Sequence, residues 1–176
     1  SEGARSAWTA LLETAYSTTP SLQFGTNESI MCARPDLNAK SVYAVGPPAD
    51  PYYEMDRLEE ALGELLAASG ALGAEDTYRY DLVDLTRQVL ANHARGLLDR
   101  LREAFEAEDQ SRFAELSSDF LQLILDQDRL VSSRKELLLG AWIQDARAMG
   151  SNAAEADRLE AEARRLLTTW SEDDSI

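Results

Sequence analysis

The sequence is short of the residues that usually announce chemistry. It holds one cysteine, Cys32, and one histidine, His93. A lone thiol forms no internal disulfide and leaves the redox compartment open. One histidine, with no paired cysteines and no HExxH string, leaves a zinc ion without a ligand set, so no metal site is expected. There is no GxSxG elbow and no glycine-rich phosphate loop, and Cys32 lies in a proline-rich stretch with no adjacent base. No cofactor motif is present. No apolar run is long enough to cross a bilayer, and no signal peptide starts the chain. Basic residues are few: 17 against 32 acidic ones, so the formal charge is 17 − 32 = −15. That balance argues against nucleic acid or an anionic membrane as the main partner, because both reward Lys and Arg.

What is present suits a folded domain. The 176 residues are 44% hydrophobic, a globular share. A chain of this size buries about 70% of its unfolded surface without needing disulfides or metals. The expectation is one all-α domain over residues 1–176, a bundle of about six helices with a long loop at 17–50 and a polar tail at 171–176. The opening string SEGARSAW lacks an initiator Met, as a piece of a longer protein would.

Helical spacing is clear in several stretches. Trp8, Leu11, Leu12, Ala15 and Tyr16 recur in residues 7–16, and Pro20 closes that helix. Residues 17–50 hold Pro20, Pro35, Pro47 and Pro48 and no helical period; SLQF and SVYAV are candidate short strands. Asp50-Pro51 reads as a helix start, followed by Met55, Leu58, Leu62, Leu65 and Leu66, with Gly70 and Gly73 as the stop. Thr77 or Asp76 is the expected cap of the next helix, whose pattern runs to Phe105. Phe113, Leu116, Phe120, Leu123 and Ile124 mark another. Ser133 with Glu136 has capping-box spacing, as does Asn152 with Glu155, and each precedes a helical pattern.

Within RYDLVDLTRQVLAN, residues 79–92, apolar side chains fall on more than one side of the helix. Leu82, Leu85 and Val89 form one stripe; Val83 and Leu90 lie elsewhere. A helix covered on several sides encloses its charges too, which is costly unless they are paired. Asp84 and Arg87, three apart, fit a helical ion pair, with a structural role more natural than a catalytic one. Asp81 and Asp84 share a face, but carboxylates are abundant here. His93 sits on an apolar stripe and reads as a packed core histidine. Gly140, inside LLLGAWIQ, reads as a point of close helix contact, and Trp142 as packing across a neighbour. The residues alone show no complete active site.

Several strings nevertheless form a pattern. YRYDLVDLTRQVLAN, LLLGAWIQDARAMG and RRLLTTW occur in this order, with AWTALLETAY and CARPDL ahead of them. Together they resemble the C-terminal helical domain of the alpha-N-acetylglucosaminidase family, glycoside hydrolase family 89, from Ala7 to about Trp170. The resemblance implies a parent exo-glycosidase that removes terminal alpha-linked N-acetylglucosamine from glycans. Its two carboxylates would lie in a preceding catalytic barrel domain and work by the retaining route about 5 Å apart; no catalytic residue is then expected in this chain. The helical domain would pack on that barrel, the partner, and help wall the sugar pocket, with Trp170 and Ile176 on the substrate side. Ser171 stands where the family usually has Gly, and Glu162 and Leu166 where it tends to carry Asn and Gln. These departures imply a diverged substrate preference or lost activity. The family also implies an extracytoplasmic setting: secreted, periplasmic or lysosomal. On this reading an apolar patch should be exposed where the barrel docks. The competing reading is a stand-alone helical interaction module without activity.

Overall fold

In the computed structural model of the protein, residues 2–17, 29–33, 36–39 and 53–168 are described. Among them every regular element is helical: seven α-helices and two 3-10 turns, with no strand. The all-α expectation holds. The candidate strands, the Asp50-Pro51 helix start, Trp170 and the tail at 171–176 lie outside the described residues. The chain divides into two compact units, Ser1–Leu130 and Val131–Ile176.

The first unit holds α1 (Glu2–Glu13), α2 (Met55–Ala67), α3 (Ser69–Leu72), α4 (Asp76–Glu106) and most of α5 (Gln110–Ser132). Small residues let α1 and α2 approach closely. Ala7 and Ala10 are fully covered, and a Cβ on Gly3 would sit 2.9 Å from the Glu64 carbonyl oxygen, so only glycine fits there. Leu58 and Leu65 of α2 join Leu11 of α1 and Tyr78 and Leu85 of α4 in one core; full burial of each leucine contributes about 1.5–3 kcal/mol. The Tyr78 hydroxyl donates to the Leu65 carbonyl at 2.7 Å, at the end of α2 where carbonyls lack helical partners.

The far half of α4 has different neighbours. Ala94, Leu97, Leu98, Leu101 and Ala104 pack with Leu116 of α5 and with Ile30 in the 3-10 turn Ile30–Cys32. The Arg102 Nε donates to the Leu37 carbonyl at 2.9 Å, tying that segment to α4. Between the halves, buried Asn92 donates to the Tyr53 hydroxyl at 3.1 Å and accepts from Gln88 at 3.2 Å. Within the first half, α4 packs against α1 and α2 and is also reached by α5, whose Gln127 bonds to the Arg87 carbonyl, so neighbours lie in more than one direction around residues 79–92.

Helix starts depart from the expected ones. α2 ends at Ala67, and the stretch around Gly70 forms the extra single turn α3. This turn closes at Gly73, whose N–H bonds to the Ser69 carbonyl at 2.8 Å. A Cβ on Gly73 would lie 2.6 Å from that same oxygen. α4 is preceded by Glu75, which makes no side-chain cap bond, and Asp76 sits in the first turn, where a carboxylate faces the positive helix end.

The second unit holds the 3-10 turn Lys135–Leu137, α6 (Leu139–Ala148) and α7 (Ala153–Thr168). The Ser133–Glu136 capping box does not open α6: Leu138 precedes that helix without a side-chain cap bond, while Glu136 is held by Arg134 at 3.2 Å. Asn152 does cap α7, its Oδ1 accepting from the Glu155 N–H at 3.0 Å, and Glu155 accepts in return from the Ser151 N–H at 2.9 Å. Arg147 of α6 bridges to Asp157 and Glu160 of α7 at 2.8 and 2.6 Å.

Candidate functional site

α1 is apolar on two sides. One side, Ala7, Ala10 and Leu11, is buried in the core. The other carries Trp8 and Leu12, both exposed, and Tyr16, also exposed, follows in the turn after Glu13. The Trp8 and Tyr16 rings stack, centroids 6.0 Å apart and planes 21° apart, folding the turn back toward α1. Beside them α4 presents Asp81, Asp84, Arg87 and Gln88. Trp8 and Tyr16, with Leu11 and Ala15, face these α4 residues across a cleft of about 220 Å³ within the first unit.

Its electrostatics are uneven. Asp84 Oδ1 accepts from Arg87 Nη2 at 2.7 Å and Nε at 2.8 Å, so the expected ion pair forms. It is only part-enclosed, with side-chain exposures of 28% for Asp84 and 42% for Arg87. The Arg87 backbone carbonyl accepts from Gln127 Nε2 of α5 at 3.2 Å. Asp81, by contrast, has no hydrogen-bond or ion-pair partner among the described residues. Burial, then the neighbouring Asp84 carboxylate, pushes its carboxyl above the usual range. Burial likewise raises the Tyr16 phenol, with Asp84 and Asp81 adding to the effect and Arg87 opposing it. Two carboxylates against one guanidinium leave a negative excess beside two aromatic faces. Such an arrangement suits a cation or a hydroxyl donor.

The other residues read from the sequence fall elsewhere. His93 is exposed on α4, not packed in the core as its stripe suggested; it falls between the clusters that hold Val89 and Leu97. A Cβ on Gly140 would meet nothing within 4 Å among the described residues, so no close helix contact accounts for it. Trp142 is 66% exposed and does not pack across a neighbour. Glu162 pairs with Arg158 at 2.8 Å, and Leu166 is exposed. Trp170 and Ile176 lie outside the described residues. No group of three His, Cys, Asp or Glu among the described residues could hold a metal ion. Sequence reasoning passed over the cleft itself. Its signal was that AWTALLETAY holds too many apolar residues for one stripe.

Comparison with known proteins completes the description. Residues 1–176 match the family model described as the alpha-N-acetylglucosaminidase C-terminal domain. The human alpha-N-acetylglucosaminidase is 28% identical over 174 residues, which is 98% of this chain and 22% of that protein. A family 89 glycoside hydrolase from Clostridium perfringens, solved with 2-acetamido-1,2-dideoxynojirmycin, superposes with a TM-score of 0.89 at 32% identity. That match covers 98% of this chain and 20% of that one. A structure of the Clostridium perfringens protein with its substrate GlcNAc-alpha-1,4-galactose gives the same figures for TM-score, identity and coverage. The chain thus spans about a fifth of the length of the relatives it matches. From the match over its whole length, the chain belongs to the alpha-N-acetylglucosaminidase C-terminal domain family.

Proposed function

We propose that residues 1–176 are the accessory helical domain of an alpha-N-acetylglucosaminidase-like exo-glycosidase. The longer protein hydrolyses terminal alpha-linked N-acetylglucosamine by the retaining route, with two carboxylates on a catalytic barrel outside these residues. The domain packs on that barrel and helps wall the sugar pocket, with Trp170 and Ile176 on the substrate side. One observation carries this reading: the chain is matched over 98% of its length by proteins of which it spans about a fifth. The solved relative's substrate, GlcNAc-alpha-1,4-galactose, supplies the linkage class. Exposed Trp8, Leu12 and Tyr16 in the first unit, and Trp142, Met149, Leu166 and Leu167 in the second, supply apolar surface of the kind that domain interfaces cover.

The test uses the longer native protein and an aryl alpha-N-acetylglucosaminide. The longer protein is expected to turn it over with retention of the anomeric configuration, and residues 1–176 alone to be inert. Trp170→Ala in the longer protein should lower kcat/KM about tenfold or more, the loss of ~1.4 kcal/mol of transition-state contact. Turnover by residues 1–176 alone, or a native product no longer than them, would overturn the proposal.

A further inference from the structure

We infer that the cleft between α1 and α4 seats an arginine or lysine side chain of the catalytic part of the same polypeptide, flanked by apolar residues that cover the Trp8–Leu12–Tyr16 surface. This inference rests on the function proposed above, since it takes the longer glycosidase as the source of the partner.

Three observations carry it. First, the apolar surface at the end of α1 is exposed: Trp8 on the helix and Tyr16 in the turn after it stack on one another, and Leu12 is 64% exposed. Exposed apolar side chains gathered in one place mark a contact surface. Second, the cleft beside this surface carries one more carboxylate than it can neutralise. Asp84 is committed to Arg87. Asp81 has no partner among the described residues, yet lines the same cleft as Trp8 and Tyr16. A part-buried unpaired carboxylate is costly, and a cation placed there would gain both the charge and the aromatic faces. Third, most of each relative's length lies outside the stretch that this chain matches, so covalently attached protein is at hand to supply that cation at high effective concentration.

Charge chooses among the other occupants. A second copy of the chain would bring a further −15 to an already negative cleft and would be repelled. A sulfated or carboxylated glycan faces the same repulsion from Asp81. A neutral sugar is compatible with the rings, and the test distinguishes it.

The experiment uses the full-length protein and two variants, Asp81→Asn and Leu12→Lys. The first is isosteric; the second changes an exposed side chain, so neither disturbs the core. Each is expected to lower the unfolding midpoint by about 2–4 °C and to speed amide exchange in α1 and in the first half of α4. The gap between wild type and Asp81→Asn should narrow in about 0.5 M salt, which shortens the reach of charge. A midpoint that is unchanged or raised in Asp81→Asn, together with a neutral Leu12→Lys, overturns the inference, because the carboxylate and the apolar surface are then uncovered. A raised KM with an unchanged midpoint also overturns it and assigns the cleft to the sugar. The midpoint is read without turnover, so a lowered midpoint in a protein that hydrolyses nothing would refute the proposed activity alone. Unaltered midpoints in an active glycosidase would refute the docking alone.

Discussion

At the scale of single residues, the instructive pair is Asp84 and Arg87. Read as enclosed charges on a helix covered from several sides, they would form a buried ion pair, and removing one partner of such a pair costs about 3–5 kcal/mol. The structure keeps the pair but leaves it part-exposed, and both N–H contacts go to a single carboxylate oxygen. Solvent screens it accordingly. Asp84→Asn is therefore expected to cost below about 1 kcal/mol, measured by urea unfolding at neutral pH. A loss of several kcal/mol would mean that Arg87 has no other way to be solvated. The neighbouring Asp81 reverses the usual logic. Its partner was never going to be legible from spacing, because none of the described residues supplies one.

At the scale of elements, α4 shows what patterning can and cannot carry. Apolar residues on two sides correctly indicated a helix with neighbours in more than one direction. The sequence did not show that the far half, from Ala94 on, meets a second set of neighbours, since periodicity records faces and not which element covers them. His93 was misplaced for that reason: its spacing from Val89 and Leu97 is right, but it falls between the two clusters that those residues join. Caps were legible where a side chain makes them, as at Asn152, and illegible where a helix starts without one, as at Met55, Asp76 and Leu139. The turn from α4 to α5 also has no glycine to announce it. Glu108 takes a left-handed backbone with φ of 56°, and Asp109 follows, accepting from the Arg112 N–H at 2.9 Å. An L side chain in that conformation costs about 1–2 kcal/mol. Glu108→Gly is expected to recover about 1 kcal/mol, less what glycine loses in unfolded-chain entropy. The check is a rise in thermal midpoint; a fall would show that Glu108 contributes contacts that outweigh its strain.

At the scale of the whole molecule, the two units differ in what holds them. The first has Leu58, Leu65 and Leu116 fully buried. In the second, among the described residues of its helices, Ile143 alone is buried, and charge joins α6 to α7 through Arg147, Asp157 and Glu160. Family membership was legible because RYDLVDLTRQ and LLLGAWIQDARAMG are long, specific strings. The exposure of Trp142, Met149 and Leu166 was not, because they look like core residues in any helical pattern. A pH dependence follows from this difference. The Arg147 and Arg164 guanidinium groups hold the Glu160 carboxyl below its ordinary value. The Ser151 hydroxyl and backbone N–H, with Arg158 nearby, do the same for Glu155. A carboxylate whose folded pKa is depressed contributes stability above its unfolded value and loses it as pH falls through the folded one. Amide protection factors in α6 and α7 should therefore fall below pH about 4.5, the range in which a free Glu takes up its proton. Protection in the leucine-packed part of α4 should persist at the same pH. Arg147→Gln should reproduce the low protection of α6 and α7 at pH 7 and flatten its dependence on pH. Equal acid sensitivity in α4 and α7, or an unaltered profile in Arg147→Gln, would show that packing and not the ion-pair bridge holds the second unit together.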